Sequence, residues 1–235
     1  MQDLLKAGRC KFQYKKMLKI NAQKYKAFLF DLNGTMIHDM PYHVSAWHKV
    51  IQSLGGNLKS EAMKQECYGK GEEMLERIFP GKYTVQERID ISENKEAKYR
   101  ADFLTDLKLI EGLDQLLEDA FRQQIKLAIG SAANNLNIDF VVDNLKIRHY
   151  MQAIISGEMV KTSKPDPETF IQCATSLNVP TTQCLVFEDT PKGVACAANA
   201  GMDAVVLTTT HPITDFDGFA NIIHFANDYT RMKIS

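Results

Sequence analysis

The chain has 235 residues, 45% of them hydrophobic and 24% charged, with a formal net charge of -1. That length and balance suit one large domain, or a core with a smaller domain inserted into it. The near-zero charge gives no electrostatic case for nucleic acid or an anionic membrane as partner, and no apolar run approaches the roughly 20 residues of a membrane span.

Residues 1–24 are rich in lysine and poor in acidic residues. They read as a basic extension, frayed or loosely docked, with the ordered body starting at Tyr25. They lack an apolar signal core followed by a small-residue cleavage site, so the cytoplasm is the expected compartment. The five cysteines are widely spaced, with no CxxC pair and no Cys/His cluster at metal-ligand spacing.

From Tyr25 onward apolar runs alternate with helical periodicity. Residues 27–30, 125–130, 153–155, 184–187 and 204–207 are short apolar runs that predict strands, and residues 222–225 suggest an edge strand. Helices are predicted over 112–123, 135–145, 167–177 and 191–200. The fold class is therefore α/β, a Rossmann-like doubly wound parallel sheet. Between Met40 and Leu109 only amphipathic helical pattern occurs, over 42–54, 60–67, 72–79 and 84–104. The expected organisation is a core of residues 25–39 and 110–235 and an all-helical cap of residues 40–109. Hinges are expected near Asp39–Pro41 and Lys108–Gly112, and a cleft between the two parts.

Four polar signals follow predicted strands: Asp31-Leu32-Asn33-Gly34-Thr35, Ser131, Lys164 in Ser163-Lys164-Pro165-Asp166, and Glu188-Asp189. Each alone has a plain structural reading, as a turn, a helix start or an N-cap. Together, at the ends of one sheet, they make an electrostatic clamp for a phosphoryl group. Asp31 would serve as nucleophile and ligand to a hard cation, Ser131 and Lys164 would hold phosphoryl oxygens, and Glu188 with Asp189 would anchor Mg²⁺.

At these residues the chain resembles the haloacid dehalogenase superfamily, and most closely its β-phosphoglucomutase-like and sugar-phosphatase-like branch. The resemblance runs from about Tyr25 to the C-terminus. It implies a Mg²⁺-dependent phosphatase acting on a small phosphorylated metabolite through an aspartyl-phosphate on Asp31. It also implies that Mg²⁺ is held by Asp31, the Asn33 carbonyl, Glu188 and Asp189, and that Thr35, Ala132 and Asn135 join the substrate site. A monomer or weak homodimer is expected. His43 and Trp47 match a His-x-x-x-Trp element of the same branch and share one helical face, although Trp47 reads equally as core packing. Gly69 and Lys70, in Tyr68-Gly69-Lys70-Gly71, read as a cap loop over the site.

Two departures matter. Glu72-Glu73 stand where phosphoglucomutases carry a phosphate-binding arginine, which argues against a bisphosphate intermediate. Asn33 replaces the aspartate that in most members is the general acid and base, and an amide can be neither. Slow ester hydrolysis follows, which aspartate at position 33 should speed unless His38, Asp39 or His43 moves the proton. A catalytically weak phospho-ligand-binding relative is the alternative outside enzymes. Phosphoglucomutase, phosphonoacetaldehyde hydrolase with Lys70 as Schiff base, and 2-haloacid dehalogenase are the alternatives among enzymes.

Overall fold

A computed structural model describes residues 17–67 and 69–235. Its centre is a six-stranded parallel sheet. In chain order the strands are β2 (Ala27–Phe30), β3 (Lys126–Gly130), β4 (Ala153–Ile155), β5 (Cys184–Glu188), β6 (Asp203–Leu207) and β7 (Ile222–Ala226). The spatial order is β4-β3-β2-β5-β6-β7, so the direction of winding reverses between β2 and β5.

Strand side chains alternate, and both faces are covered. Phe28, Phe30, Leu127, Ile129, Leu185 and Phe187 point one way, toward α5 (Leu113–Arg122) and α6 (Asn135–Asn144). Leu29, Ala128, Val186 and Val206 point the other way, onto α7 (Glu168–Leu177) and α8 (Pro191–Asn199). A strand buried on both faces must be apolar at nearly every position, which is why these runs were continuous in the sequence.

The chain leaves the core after β2 and forms α1 (Met40–Ser53), α2 (Ser60–Glu66), α3 (Gly71–Ile78) and α4 (Val85–Phe103). These helices enclose a small core of their own, built on Trp47, Ile51, Met63, Met74 and Leu75. The outgoing and returning segments run side by side, bridged at Ile37 and Leu109, with Ile110 N–H donating to Met36 at 2.9 Å.

One expectation fails at the N-terminus. The body does not begin at Tyr25, because β1 (Leu18–Ile20) pairs in parallel with β8 (Met232–Ile234) in a second, two-stranded sheet. Ile20 and Met232 are buried against the core of the main sheet. Residues 1–16 of the expected extension lie outside the described residues.

Candidate active site

The reversal between β2 and β5 leaves a crevice at the carboxyl ends of the strands, and polar residues occupy it. Asp31 follows β2, and Glu188 ends β5. Lys164 stands between them, its Nζ 2.7 Å from Asp31 Oδ1 and 2.7 Å from Glu188 Oε1. The other Glu188 oxygen accepts from the backbone N–H of Asp189 and Thr190 at 2.8 and 2.9 Å, and from the Thr190 hydroxyl at 3.0 Å. Thr190 is also the N-cap of α8, its Oγ1 accepting from Gly193 N–H at 3.1 Å. The helix start thus fixes the orientation of Glu188.

Asp189 is held from the opposite side. Thr35 donates to its Oδ1 at 3.0 Å, and Thr210 donates to its Oδ2. Gly34 has φ +77°, and a Cβ there would lie 2.3 Å from Asp189 Oδ2. The turn after Asp31 therefore needs glycine both for its backbone conformation and for the closeness of the carboxylate.

Three buried carboxylates face one ammonium. Burial is the first cause that pushes Asp31 up to about 7, Lys164 offsets part of it, and the Glu188 charge adds to it. Burial, then the charges of Glu188 and Asp31, raise Asp189 well above the usual carboxylate range. Burial opposes the Lys164 charge, but Asp31 and Glu188 outweigh it and hold the lysine protonated. Among the described residues no group of three His, Cys, Asp or Glu side chains is already gathered as a metal cage. The excess of hard oxygen donors over positive charge nevertheless fits a hard divalent cation.

Above these groups a cavity of about 630 Å³ separates the helical unit from the sheet. Asp31, Asn33, Ser131, Ala132, Lys164, Glu188 and Asp189 line its floor, and His43, Trp47, Gly69 and Lys70 its other walls. Ser131 is buried and accepts from Ala133 N–H at 3.2 Å. Lys70 donates across the cleft to the Val160 carbonyl at 3.1 Å. Trp47 belongs to the core of the helical unit and also lines the cavity wall.

Two expected substrate contacts lie elsewhere. Thr35 is fully buried beneath the floor and serves Asp189 instead. Asn135 is exposed and bonds Glu158, while its neighbours Asn134 and Asn137 line the cavity. Tyr68, expected in the cap loop, lies outside the described residues. Thr210 and His211 line the cavity and were missed, although a polar run directly after β6 was the available signal.

A second buried polar network surrounds Asn33. Its Nδ2 donates to Asp39 Oδ2 at 2.6 Å, and Tyr99 donates to the same oxygen at 2.5 Å. His43 Nε2 is 3.3 Å from that oxygen, and its Nδ1 is 2.7 Å from Lys95 Nζ. Lys95 in turn donates to Glu96 at 2.6 Å, and Glu96 accepts from Asn137 of α6 at 2.7 Å. Burial works against the Asp39 charge, but the bonds from His43, Tyr99 and Asn33 hold its carboxyl below the usual range. Burial lowers Lys95 despite its acidic neighbour.

The family model for haloacid dehalogenase-like hydrolases matches residues 28–207. The chain belongs to this family. Among its relatives is the fructose-1-phosphate phosphatase YqaB of Escherichia coli, 27% identical over 78% of this chain and 96% of that protein. The β-phosphoglucomutase of Bacillus subtilis is 30% identical over 82% of this chain and 87% of that protein. The crystal structure of β-phosphoglucomutase from Clostridium difficile superposes with a TM-score of 0.77, at 24% identity, over 89% of this chain and 93% of that one. This last likeness is one of fold. As a member of the family, the chain is a hydrolase.

Proposed function

We propose that the chain is a Mg²⁺-dependent phosphatase acting on a small phosphorylated metabolite, foremost a sugar phosphate, through an aspartyl-phosphate on Asp31. The observation that carries this reading is Lys164, held at 2.7 Å from both Asp31 and Glu188 on the floor of the cavity. Asp31 offers an oxygen to phosphorus, and Lys164 and the Ser131 hydroxyl neutralise and hold phosphoryl oxygens. Asp31, Asp189 with Glu188, and the Asn33 carbonyl would hold Mg²⁺. When bound, the cation would supply charge to the phosphoryl oxygens. The relatives named for fructose 1-phosphate and phosphoglucose chemistry support a sugar phosphate as substrate class.

The helical unit acts as the cap, and residues 40–109 and the rest are its two moving parts. Ser163, next to Lys164, donates to Glu73 of α3 at 3.0 Å, so cap closure and the lysine loop are joined. Glu72 also lines the cavity, which disfavours a second phosphate and hence a mutase. The acidic floor disfavours a haloacid carboxylate in the same way. Turnover is slow, because an amide stands at position 33. A screen of phosphorylated sugars with and without Mg²⁺ tests the reading. Release of phosphate only with Mg²⁺, and none from Asp31→Asn, is the expected result, and full activity in excess chelator would refute it.

A further inference from the structure

Asn33 and Asp39 face each other where the helical unit begins. Asp39 Oδ2 gathers Asn33 Nδ2 at 2.6 Å, the Tyr99 hydroxyl at 2.5 Å and His43 Nε2 at 3.3 Å. Asp39 is wholly buried, and its Oδ1 has no partner among the described residues. An ionised carboxylate only accepts, so the nitrogen of the Asn33 amide must face it. A protonated Lys95 has donors alone, so His43 Nδ1 accepts from it. His43 Nε2, 3.3 Å from the Asn33 amide nitrogen as well, is left with the proton that faces Asp39. Three donors thus converge on one oxygen and pin it. The amide of Asn33 cannot flip without setting its own oxygen against that carboxylate. Its Oδ1 is turned away from Asp39, on a residue that lines the cavity together with Asp31.

We propose that Asp39 is a positioning residue that fixes Asn33 with its amide oxygen toward the cavity, where that oxygen accepts a hydrogen bond from the water that attacks the aspartyl-phosphate. This rests on the phosphoryl-transfer reading above. The water oxygen bonds to phosphorus as the bond from phosphorus to the Asp31 oxygen breaks, and that electron pair stays on the Asp31 carboxylate. Both water protons leave on the phosphate, so a dianionic intermediate gives carboxylate and dihydrogen phosphate. Without a base the step is slow, but in a loose transition state an amide can still orient the nucleophile, as glutamine does in GTPases. Asn33 and Asp39 are then a matched pair. Aspartate at position 33 would set a half-buried carboxylate against the buried one of Asp39, so on this proposal the change alone slows the enzyme rather than speeding it.

The test combines burst kinetics on nitrophenyl phosphate with NMR of the side-chain amides. Asp39→Ala should keep kcat/KM and the burst of aspartyl-phosphate formation while kcat and KM fall together by about 10²-fold, the scale of a misplaced reactant. Asp39→Asn, which still offers a carbonyl to Asn33, should recover most of the rate. Asn33→Asp alone should lose activity, and adding Asp39→Asn should restore it. The Asn33 amide protons should be protected from exchange in the wild type and exposed in Asp39→Ala. A full steady rate in Asp39→Ala, equal exchange in both proteins, or Asn33→Asp outpacing the double variant would overturn the proposal. A wild type with protected Asn33 protons but no burst and no turnover would instead overturn the phosphoryl-transfer reading, and the role of the water with it.

Discussion

Lys164 is the residue on which the floor of the site depends most. It is the buried cation between Asp31 and Glu188, and removing one partner of a buried ion pair leaves the others uncompensated. Lys164→Ala should therefore cost about 3–5 kcal/mol of stability as well as activity, measured by denaturant unfolding in chelator. A variant as stable as the wild type would show that Asp31 and Glu188 are not charged together. Asp31, Glu188 and Asp189 were legible in the sequence because they close apolar runs, and Lys164 was legible through the Ser163-Lys164-Pro165-Asp166 stretch. Asp39, Tyr99 and Lys95 were not legible as a unit. They lie on two different helical segments and meet only when α4 returns across α1, and no spacing along the chain announces a contact of that kind.

At the level of elements, the start of α8 and the turn after β2 carry the tightest constraints. A Cβ on Gly193 would fall 1.7 Å from Glu188 Oε1, so Gly193→Ala must displace the carboxylate that α8 orients. The expected cost is about 1–3 kcal/mol, the usual range for overpacking, with a parallel loss of activity. An unchanged activity would mean that Glu188 does not need this position. The Glu73–Ser163 contact joins α3 to the loop of Lys164, with the Lys70 N–H also donating to Glu73 at 3.2 Å. A double-mutant cycle of Glu73→Ala and Ser163→Ala on kcat/KM should show coupling of about 0.5–3 kcal/mol. Additive effects would separate the two. The inner strands of the main sheet were readable because burial on both faces demands continuous apolar runs, and the partly exposed edge strands β4 and β7 because their residues are still mostly apolar in succession. β1 and β8 were not, since each is three residues with an exposed lysine, Lys19 or Lys233, between two apolar ones, and so forms no apolar run.

For the molecule as a whole, the excess of carboxylates makes stability depend on pH in an unusual direction. The folded pKa values of Asp31 and Asp189 lie above the unfolded ones, so their contribution is fully present below about pH 4 and is lost as pH rises through the folded values, about 7 for Asp31. The lowered carboxyls of Asp39 and Glu96 act only at the acid end and Lys164 only at the alkaline end, while Lys95, lowered by burial, is one opposing group against the two raised carboxyls. In chelator the melting temperature should be lower at about pH 8 than at about pH 5.5, and Mg²⁺ should raise it more at the higher pH. A melting temperature that rises with pH in chelator would contradict this charge arrangement.

The central claim is that Asp31 becomes phosphorylated. Enzyme mixed with acetyl phosphate or nitrophenyl phosphate and Mg²⁺, then quenched in acid within the burst, should carry one phosphoryl group on the peptide containing Asp31. Slow breakdown at position 33 should make that species accumulate, and Asp31→Asn should show none of it. Turnover without phosphorylation of Asp31, or with the phosphoryl group on another residue, would contradict the account.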